Sequence, residues 1–458
     1  MNEKPVALPS SFRDPAGFMF RQDQLIYRLI TQAGQPAYDG LMNSGLYATL
    51  NAKKHLLPHA EMPASFTGPG AYKIILPEQL PFISYPWEWS FSQLQDAALL
   101  TLEIAKTALD HGLSLKDATP YNIQWLRGSL IFIDTLSFEP YSEGQPWIAY
   151  RQFCESFLSP LLLMHYRKHS LHSLQLAWPD GIPLQITRSL LPWKSRFSVL
   201  TWMHIHLHGK YAAKTDAAKE KKTVLPLAKF RQLLSSLEML IRSLKLEEKA
   251  TTWGDYYAEA ATRNDYLGQK EKIIRDWTDT RTDISKVVDF GANNGSFSLP
   301  LAEKGFLTVA VDGDPVAINK LYKNIRTGHL KNMIPLIIDF MHPSPAMGLG
   351  NKERTSFLER IGKNNLGLCL AFIHHLCLGK NIPLPRVAEL FAASCRQLII
   401  EFVPKTDEKA ELILKGKKDI YPDYHQDGFE QAFSQYFIIE KKAIVPGSSR
   451  VLYQFILK

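Results

Sequence analysis

Cysteine is scarce in this chain of 458 residues: Cys154, Cys369, Cys377 and Cys395 are the four present, and no two form a C-x-x-C pair. That scarcity excludes a disulfide framework and a thiolate zinc site, and it favours a reducing compartment. Long apolar runs are missing too. No stretch approaches the ~18 uninterrupted apolar residues of a membrane-spanning helix, so no membrane span is expected. The opening MNEKPVALPSSFRDPAG has no apolar core of a secretory signal. The expectation is a soluble, cytoplasmic protein. No segment repeats at a fixed period, which excludes a solenoid or propeller. Neither G-x-G-x-x-G nor a Gly-Lys-Ser/Thr turn occurs, so the usual phosphate loops are absent. Charge is not strongly of one sign: 53 Lys and Arg face 45 Asp and Glu, a net +8. The basic stretches 210–222 and 415–419 carry acids or sit in loop-like context, and no RNA-binding signature accompanies them. They read as solvated faces and linkers, and nucleic acid is disfavoured as a partner.

The chain does hold enough apolar residues, 45%, for a large core, and its 458 residues exceed one ordinary domain. Residues 1–90 carry short apolar runs between Pro and Gly and read as short strands joined by turns. SQLQDAALLTLEIAKTAL, from Ser92 to Leu109, has helical spacing and closes on His111-Gly112. SLIFIDTLSF (129–138) reads as a buried strand, or a strand pair split at its polar turn. Residues 147–210 read as helical. The Ala-and-charge stretch 210–222 is the clearest linker, Leu225–Leu246 forms an amphipathic helix, and 255–277 forms another. After Ser285 the pattern becomes strand, small-residue turn, helix, repeated, which argues for a parallel α/β sheet. The expected division is an N-terminal α+β domain over 1–210, a helical connector over 211–254 and an α/β domain over 255–458.

In the last part the acids fall where strands end. VVDFG runs into Ala292-Asn293-Asn294-Gly295; TVAVD ends in Asp312; LIID ends in Asp339; LGLCLAF leads into Ile373-His374-His375-Leu376. Open α/β sheets bind ligands at the carboxyl ends of their strands. Glycines at 291 and 295 let a ligand approach the backbone closely. Asp312 is placed to accept hydrogen bonds from two ribose hydroxyls. The D-x-G-x-x-x-G loop opens wider than a dinucleotide loop, and Asp289 would repel a phosphate but can organise an ammonium group. The chain ends in a hairpin turning at Pro446-Gly447-Ser448-Ser449.

With these pieces in this order, residues 255–458 resemble a class I S-adenosylmethionine (SAM) dependent methyltransferase. The resemblance implies a Rossmann-like, seven-stranded sheet closed by an antiparallel hairpin. It implies that Gly291 and Gly295 lie along the methionine part of SAM, that Asp312 binds the ribose, that Asp339 meets the adenine amino group with Phe340 as a ring neighbour, and that Asp289, Ala292, Asn293 and Gly313 belong to the same cofactor site. His374 and His375 then face the methyl group, where a neutral imidazole can deprotonate a hydroxyl. The segment after strand four lacks the N/D-P-P-Y/F pattern of nucleobase amino methylation. That favours transfer to an oxygen of a small or conjugated acceptor.

A second constellation lies in LKDATPYNIQWLRGSLIFIDTLSFE (115–139). Asp117 and Asn122 are five apart, and Asp134 follows twelve later. This stretch resembles the catalytic loop and metal-binding segment of protein-kinase-like and aminoglycoside-phosphotransferase-like folds. The resemblance implies ATP and Mg²⁺ as ligands there, a small lobe over 12–90, a first hairpin turn at Arg13–Phe18 and a hinge at 82–89. It departs from the pattern at Leu115-Lys116-Asp117 and Asp134-Thr135-Leu136, and it offers Lys53, Lys54 and Lys73 as candidates for the strand lysine. His204, His206 and His208 alternate and on a strand would share one face, but no carboxylate or Cys follows at ligand spacing, so they read as an incidental His-rich strand or helix end and no metal site is assigned. The leading reading is a SAM-dependent methyltransferase with an accessory domain. Its rivals are a bifunctional or phosphotransfer enzyme, a protein that senses SAM without turning it over, and an RNA methyltransferase. Oligomeric state is open.

Overall fold

A computed structural model of the chain describes residues 4–63, 70–208, 225–247, 266–279 and 281–458. The expected linker 210–222 and the start of the expected helix 255–277 lie outside those residues. The chain divides into two compact units: residues 1–247 with 346–354, and residues 248–345 with 355–458.

The first unit begins with a five-stranded antiparallel sheet in the order β1-β2-β3-β5-β4. Its strands are β1 (Val6–Ala7), β2 (Gly17–Gln22), β3 (Leu25–Thr31), β4 (His59–Glu61) and β5 (Ala71–Pro77). Arg13–Phe18 falls in and just after the connection from β1 to β2. The β2–β3 hairpin turns at Asp23 and Gln24, both left-handed (φ 48° and 65°), the conformation a two-residue turn needs to match strand twist. Phe20 and Tyr27 face each other across that hairpin with ring centroids 5.3 Å apart. Residues 1–90 are not all strand: helices Gln35–Asn43 and Leu46–Ala52 follow β3. They bury Tyr38, Leu41, Leu46 and Leu50, whose spacing of three to five residues is helical once these side chains share one face. The segment 82–89 holds a 3₁₀ turn, Pro86–Glu88.

The helix Phe91–Asp110 starts at a reciprocal cap between Ser90 and Gln93 and stops at His111, before Gly112 in the left-handed region. Two small antiparallel pairs follow: β6 (Leu113–Leu115) with β9 (Phe138–Pro140), and β7 (Ile123–Leu126) with β8 (Ser129–Phe132). The 129–138 run is therefore neither one strand nor a strand pair: it holds β8 and the first residue of β9, which lie in different two-stranded sheets. The helix Leu227–Ser243 packs on Phe91–Asp110 inside the first unit and buries Phe230, Leu234, Leu237, Leu240 and Ile241. Gln95 Nε2 donates to the carbonyls of Ile241 and Leu244 at 2.7 and 3.0 Å.

The second unit is built on β10 (Lys286–Phe290), β11 (Leu307–Asp312), β12 (Met333–Ile337), β13 (Asn364–Cys369), β14 (Cys395–Phe402), β15 (Phe437–Ile444) and β16 (Val451–Leu457). The order is β12-β11-β10-β13-β14-β16-β15. β10 to β14 run parallel, and β16 enters antiparallel between β14 and β15. Numbered along the unit this is 3-2-1-4-5-7-6, the sheet of class I methyltransferases that the sequence resemblance implies. The inner strands are apolar without alternation because both faces are covered. On one side Ile274, Trp277 and Phe297 pack with Val287, Leu366, Leu368 and Ile399. Elsewhere Phe340 stacks on Phe391 at 5.7 Å, beside Phe290.

Candidate functional site

The strand-to-helix loop after β10 is strapped to the neighbouring strand. Gly291 and Ala292 both donate their N–H to the Val311 carbonyl at 2.9 Å. Asn293, itself left-handed (φ 48°), donates its N–H to Asp312 Oδ2 at 2.8 Å. Asp314 N–H meets the other oxygen of Asp312 at 2.8 Å, and the Asp314 side chain caps the next helix, Pro315–Gly328. With backbone donors at Asn293, Asp314 and Gly313, the carboxylate still has acceptor capacity for a further donor. Burial pushes the Asp312 carboxyl up to about 6, against the pull of the backbone donors at Asp314 and Asn293.

Two glycines in the loop are needed as glycines. Gly291 has φ +89° and Gly295 has φ +82°. A Cβ on Gly295 would stand 2.7 Å from Leu321 Cδ1, and one on Gly291 would stand 3.3 Å from the Phe372 ring. Gly313 is different: it is not left-handed, and a Cβ there would meet its nearest atom, Asp339 Cα, at 3.8 Å.

Asp289 lies inside the sheet rather than on the loop surface. It is buried, it accepts the Ser298 hydroxyl, and burial pushes it up to about 7. Asp339 is exposed just past β12 and accepts the Met341 N–H at 2.9 Å. Phe340, its neighbour, is committed to the aromatic cluster with Phe391 and Phe290.

After β13 the chain turns at Ala371, a left-handed residue (φ 48°) whose N–H donates to Glu401 Oε2 at 2.6 Å. His374 follows, 1% exposed, with neither ring nitrogen hydrogen-bonded to protein. His375 stands beside it, ring centroids 4.1 Å apart. Burial holds both imidazoles neutral: His374 falls well below the usual histidine range, and His375 falls to about 4 with help from Arg450.

Behind this turn is a buried ion network. Glu401, at the end of β14, receives Lys270 Nζ and the Tyr266 hydroxyl as well as Ala371 N–H. Lys270 Nζ also lies 4.7 Å over the Phe297 ring. Arg450 forks onto Asp407 at 2.7 and 2.9 Å. Burial works against the Glu401 charge, but Lys270 and Arg450 outweigh it and hold the carboxyl below its ordinary range. Glu401 has a signal in the sequence, an acid ending an apolar strand as Asp312 does. Lys270 has none, since a lysine in a charged helix looks like any surface lysine.

In the first unit, the fold gathers Asp117, Asn122 and Asp134. Asp134 Oδ1 accepts from Arg28 Nη1 and from Leu136 N–H, and its Oδ2 accepts the Ser137 hydroxyl. Arg28 Nη2 reaches Asp14 Oδ2 at 3.0 Å. Burial would raise Asp134, but Arg28 and Ser137 hold it below the ordinary carboxylate range. Asn122 Nδ2 leans on Ser137 Oγ at 3.4 Å. Asp117 is pushed up by burial and by Asp134, and its Oδ1 is buried without a partner. The candidate lysines are elsewhere: Lys73 pairs with Glu61 at 2.6 Å, Lys53 with Glu103 at 3.5 Å, and Lys54 is the left-handed residue after the helix Leu46–Ala52. The cation at Asp134 is Arg28 of β3, which the sequence reading did not single out.

His204, His206 and His208 are not on a strand. Trp202–Leu207 is a π-helical turn, in which His204 bonds Tyr150 and Ser236 at 2.8 and 3.0 Å and His206 bonds Ser195 at 2.9 Å. Among the described residues no group of three or more His, Cys, Asp or Glu side chains is arranged to hold a metal ion, and no helix is long and apolar enough to cross a membrane.

SAM and Mg²⁺ fare differently against these residues. The loop at Gly291 and Gly295, the remaining acceptor capacity of Asp312 and the unpartnered His374 ring fit SAM. Mg²⁺ does not fit at Asp134, because the group already paired with that carboxylate is a cation, Arg28, and Oδ1 is filled by it and by Leu136 N–H.

No protein-family model matches the chain. Among solved structures, the chain is similar to the bifunctional kinase-methyltransferase WbdD, at 14% identity over 48% of this chain and 45% of that one, with a TM-score of 0.32. It is similar to magnesium protoporphyrin IX methyltransferase (ChlM) from Synechocystis PCC 6803 with bound SAM, at 14% identity over 46% of this chain and 86% of that one, with a TM-score of 0.31. Among curated proteins, the nodulation protein NoeA of Rhizobium meliloti (strain 1021) is 33% identical over 465 aligned positions, which span 99% of this chain and 96% of the relative. An identity of that size over both chains end to end makes this protein a member of the NoeA family.

Proposed function

We propose that the protein is a SAM-dependent methyltransferase that transfers a methyl group to an oxygen of a small or conjugated acceptor, with the N-terminal unit serving to bind the acceptor. The observation that carries the cofactor is the strap from Asn293 N–H to Asp312, which ties the glycine loop to an acid ending the second strand. Asp312 accepts from the ribose hydroxyls, the loop carrying Gly291 and Gly295 lies along the methionine side, and Asp339 accepts from the adenine amino group. When bound, SAM supplies an electrophilic methyl group on a sulfonium.

Methyl transfer of this kind is an in-line displacement in which the protein chiefly positions the reactants. A hydroxyl acceptor must also lose its proton. His374 is neutral, buried and has both ring nitrogens free, so it takes that proton at an unpartnered ring nitrogen. His375 packs against it and limits its ring orientations. The absence of the N/D-P-P-Y/F pattern after strand four supports oxygen over a nucleobase amino group.

Calorimetry tests the cofactor. Wild type should bind SAM, and Asp312→Ala should bind it at least tenfold more weakly, about 1.4 kcal/mol. Equal binding by both proteins, or binding by neither, overturns the assignment.

A further inference from the structure

The N-terminal unit presents a conflict between its resemblance and its charges. In a kinase-like site the residues at Asn122 and Asp134 would hold the divalent cation that bridges the nucleotide phosphates. Such a cation needs open carboxylate oxygens at about 2.0–2.1 Å, in near-octahedral geometry. At Asp134, Oδ1 is filled, Oδ2 keeps one lone pair, and the charge beside them is already positive. Oδ1 receives Arg28 Nη1 and Leu136 N–H, and Oδ2 receives the Ser137 hydroxyl. Asn122 Nδ2 donates to the same Ser137 at 3.4 Å and its side chain also bonds Asp117, so the obstacle to a cation is the charge at Asp134 and not Asn122.

Arg28 is not a passing surface contact. Its side chain is 12% exposed and is held from two sides, by Asp134 and by Asp14 in the β1–β2 connection. A guanidinium keeps its charge at every accessible pH, so it cannot vacate the place by losing a proton. Its planar fork also suits two carboxylates at once. A divalent cation on Asp134 would lie directly against this fixed positive charge.

We infer that Arg28 takes the place of the divalent cation at Asp134, so that the N-terminal unit works as a metal-free site rather than as a Mg²⁺-dependent phosphotransferase. The inference is independent of the methyltransferase reading, because it concerns only residues of the first unit. It leaves Asp117 as the remaining carboxylate of the constellation, with one oxygen free of protein donors.

The test uses the full chain and Mn²⁺ as the probe, followed by electron paramagnetic resonance with and without added ATP. Wild type should show no Mn²⁺ binding that depends on Asp134. Arg28→Gln keeps a polar side chain but removes the charge, and it should gain Mn²⁺ binding at least tenfold over wild type. A second change, Asp134→Asn, should remove the gain. Wild-type binding of Mn²⁺ or Mn²⁺-ATP that Asp134→Asn abolishes overturns the inference. So does a folded Arg28→Gln protein that gains nothing. The wild-type and Asp134→Asn pair keeps the test decisive even where Arg28→Gln fails to fold.

Discussion

The N–H of Asn293 donates to Asp312 Oδ2 at 2.8 Å, joining residues nineteen positions apart. The link makes Asp312 both a wall of the proposed cofactor site and a strap for the loop beside it. Its carboxyl sits at about 6 because of burial, so it gains a proton as the pH falls below that value. Ribose hydroxyls need the carboxylate form as acceptor. SAM affinity should therefore rise as the pH is raised through about 6 and level off above it. Asp312→Asn should bind weakly with no such rise. A wild-type affinity that is flat from pH 5 to 8 would count against Asp312 as the ribose acceptor.

The glycines separate by their surroundings. Gly295→Ala places a Cβ 2.7 Å from Leu321 Cδ1 at a left-handed backbone. The substitution should cost about 1–3 kcal/mol, read from urea denaturation. Gly313→Ala meets no atom closer than 3.8 Å and needs no unusual φ, so it should change stability by under about 0.5 kcal/mol. Equal losses in both variants would show that the loop geometry around Gly295 is not limiting.

Lys270 and Glu401 form an ion pair with side chains 2% and 0% exposed. Breaking it from one side leaves a buried charge. Lys270→Met should cost about 3–5 kcal/mol, and a second change, Glu401→Gln, should recover part of that loss. Strict additivity in the double-mutant cycle would mean the two side chains do not act together. Because Glu401 also holds Ala371 N–H, the single variants should disturb the turn that carries His374.

His374→Ala should lower turnover of SAM by about 10²–10⁴-fold and leave SAM affinity within a few-fold, if the imidazole removes the acceptor proton. Both histidines are depressed by burial, His375 to about 4, so their neutral forms persist as the pH falls through 6.5. At saturating SAM, turnover should show no inflection at the ordinary histidine value. A clear loss of activity centred near pH 6.5 would point to a solvated base instead.

Much of the second unit is legible along the chain. Each of β10 to β14 is a local apolar run, and Asp312 and Asp339 announce where two of the strands stop. The hairpin shows itself through its Pro-Gly-Ser-Ser turn. Less is legible in the first unit. Helices Gln35–Asn43 and Leu46–Ala52 are short and interrupted by turn residues, so their periodicity is brief. The helix Leu227–Ser243 shows its amphipathic face plainly, but that face cannot say which partner covers it. Here it is Phe91–Asp110 in the first unit.

The sequence by itself determined the α/β alternation, the acids at strand ends and the glycine loop, because each depends on neighbours within a few residues. The tertiary structure alone decided the charge partners. Arg28 reaches Asp134 across 106 positions, and Lys270 reaches Glu401 across 131. An ion pair is set by distance and burial in space. A composition window of a few residues contains neither, so an arginine that fills a cation's place and a lysine buried under a sheet look the same as their solvated neighbours until the chain is folded.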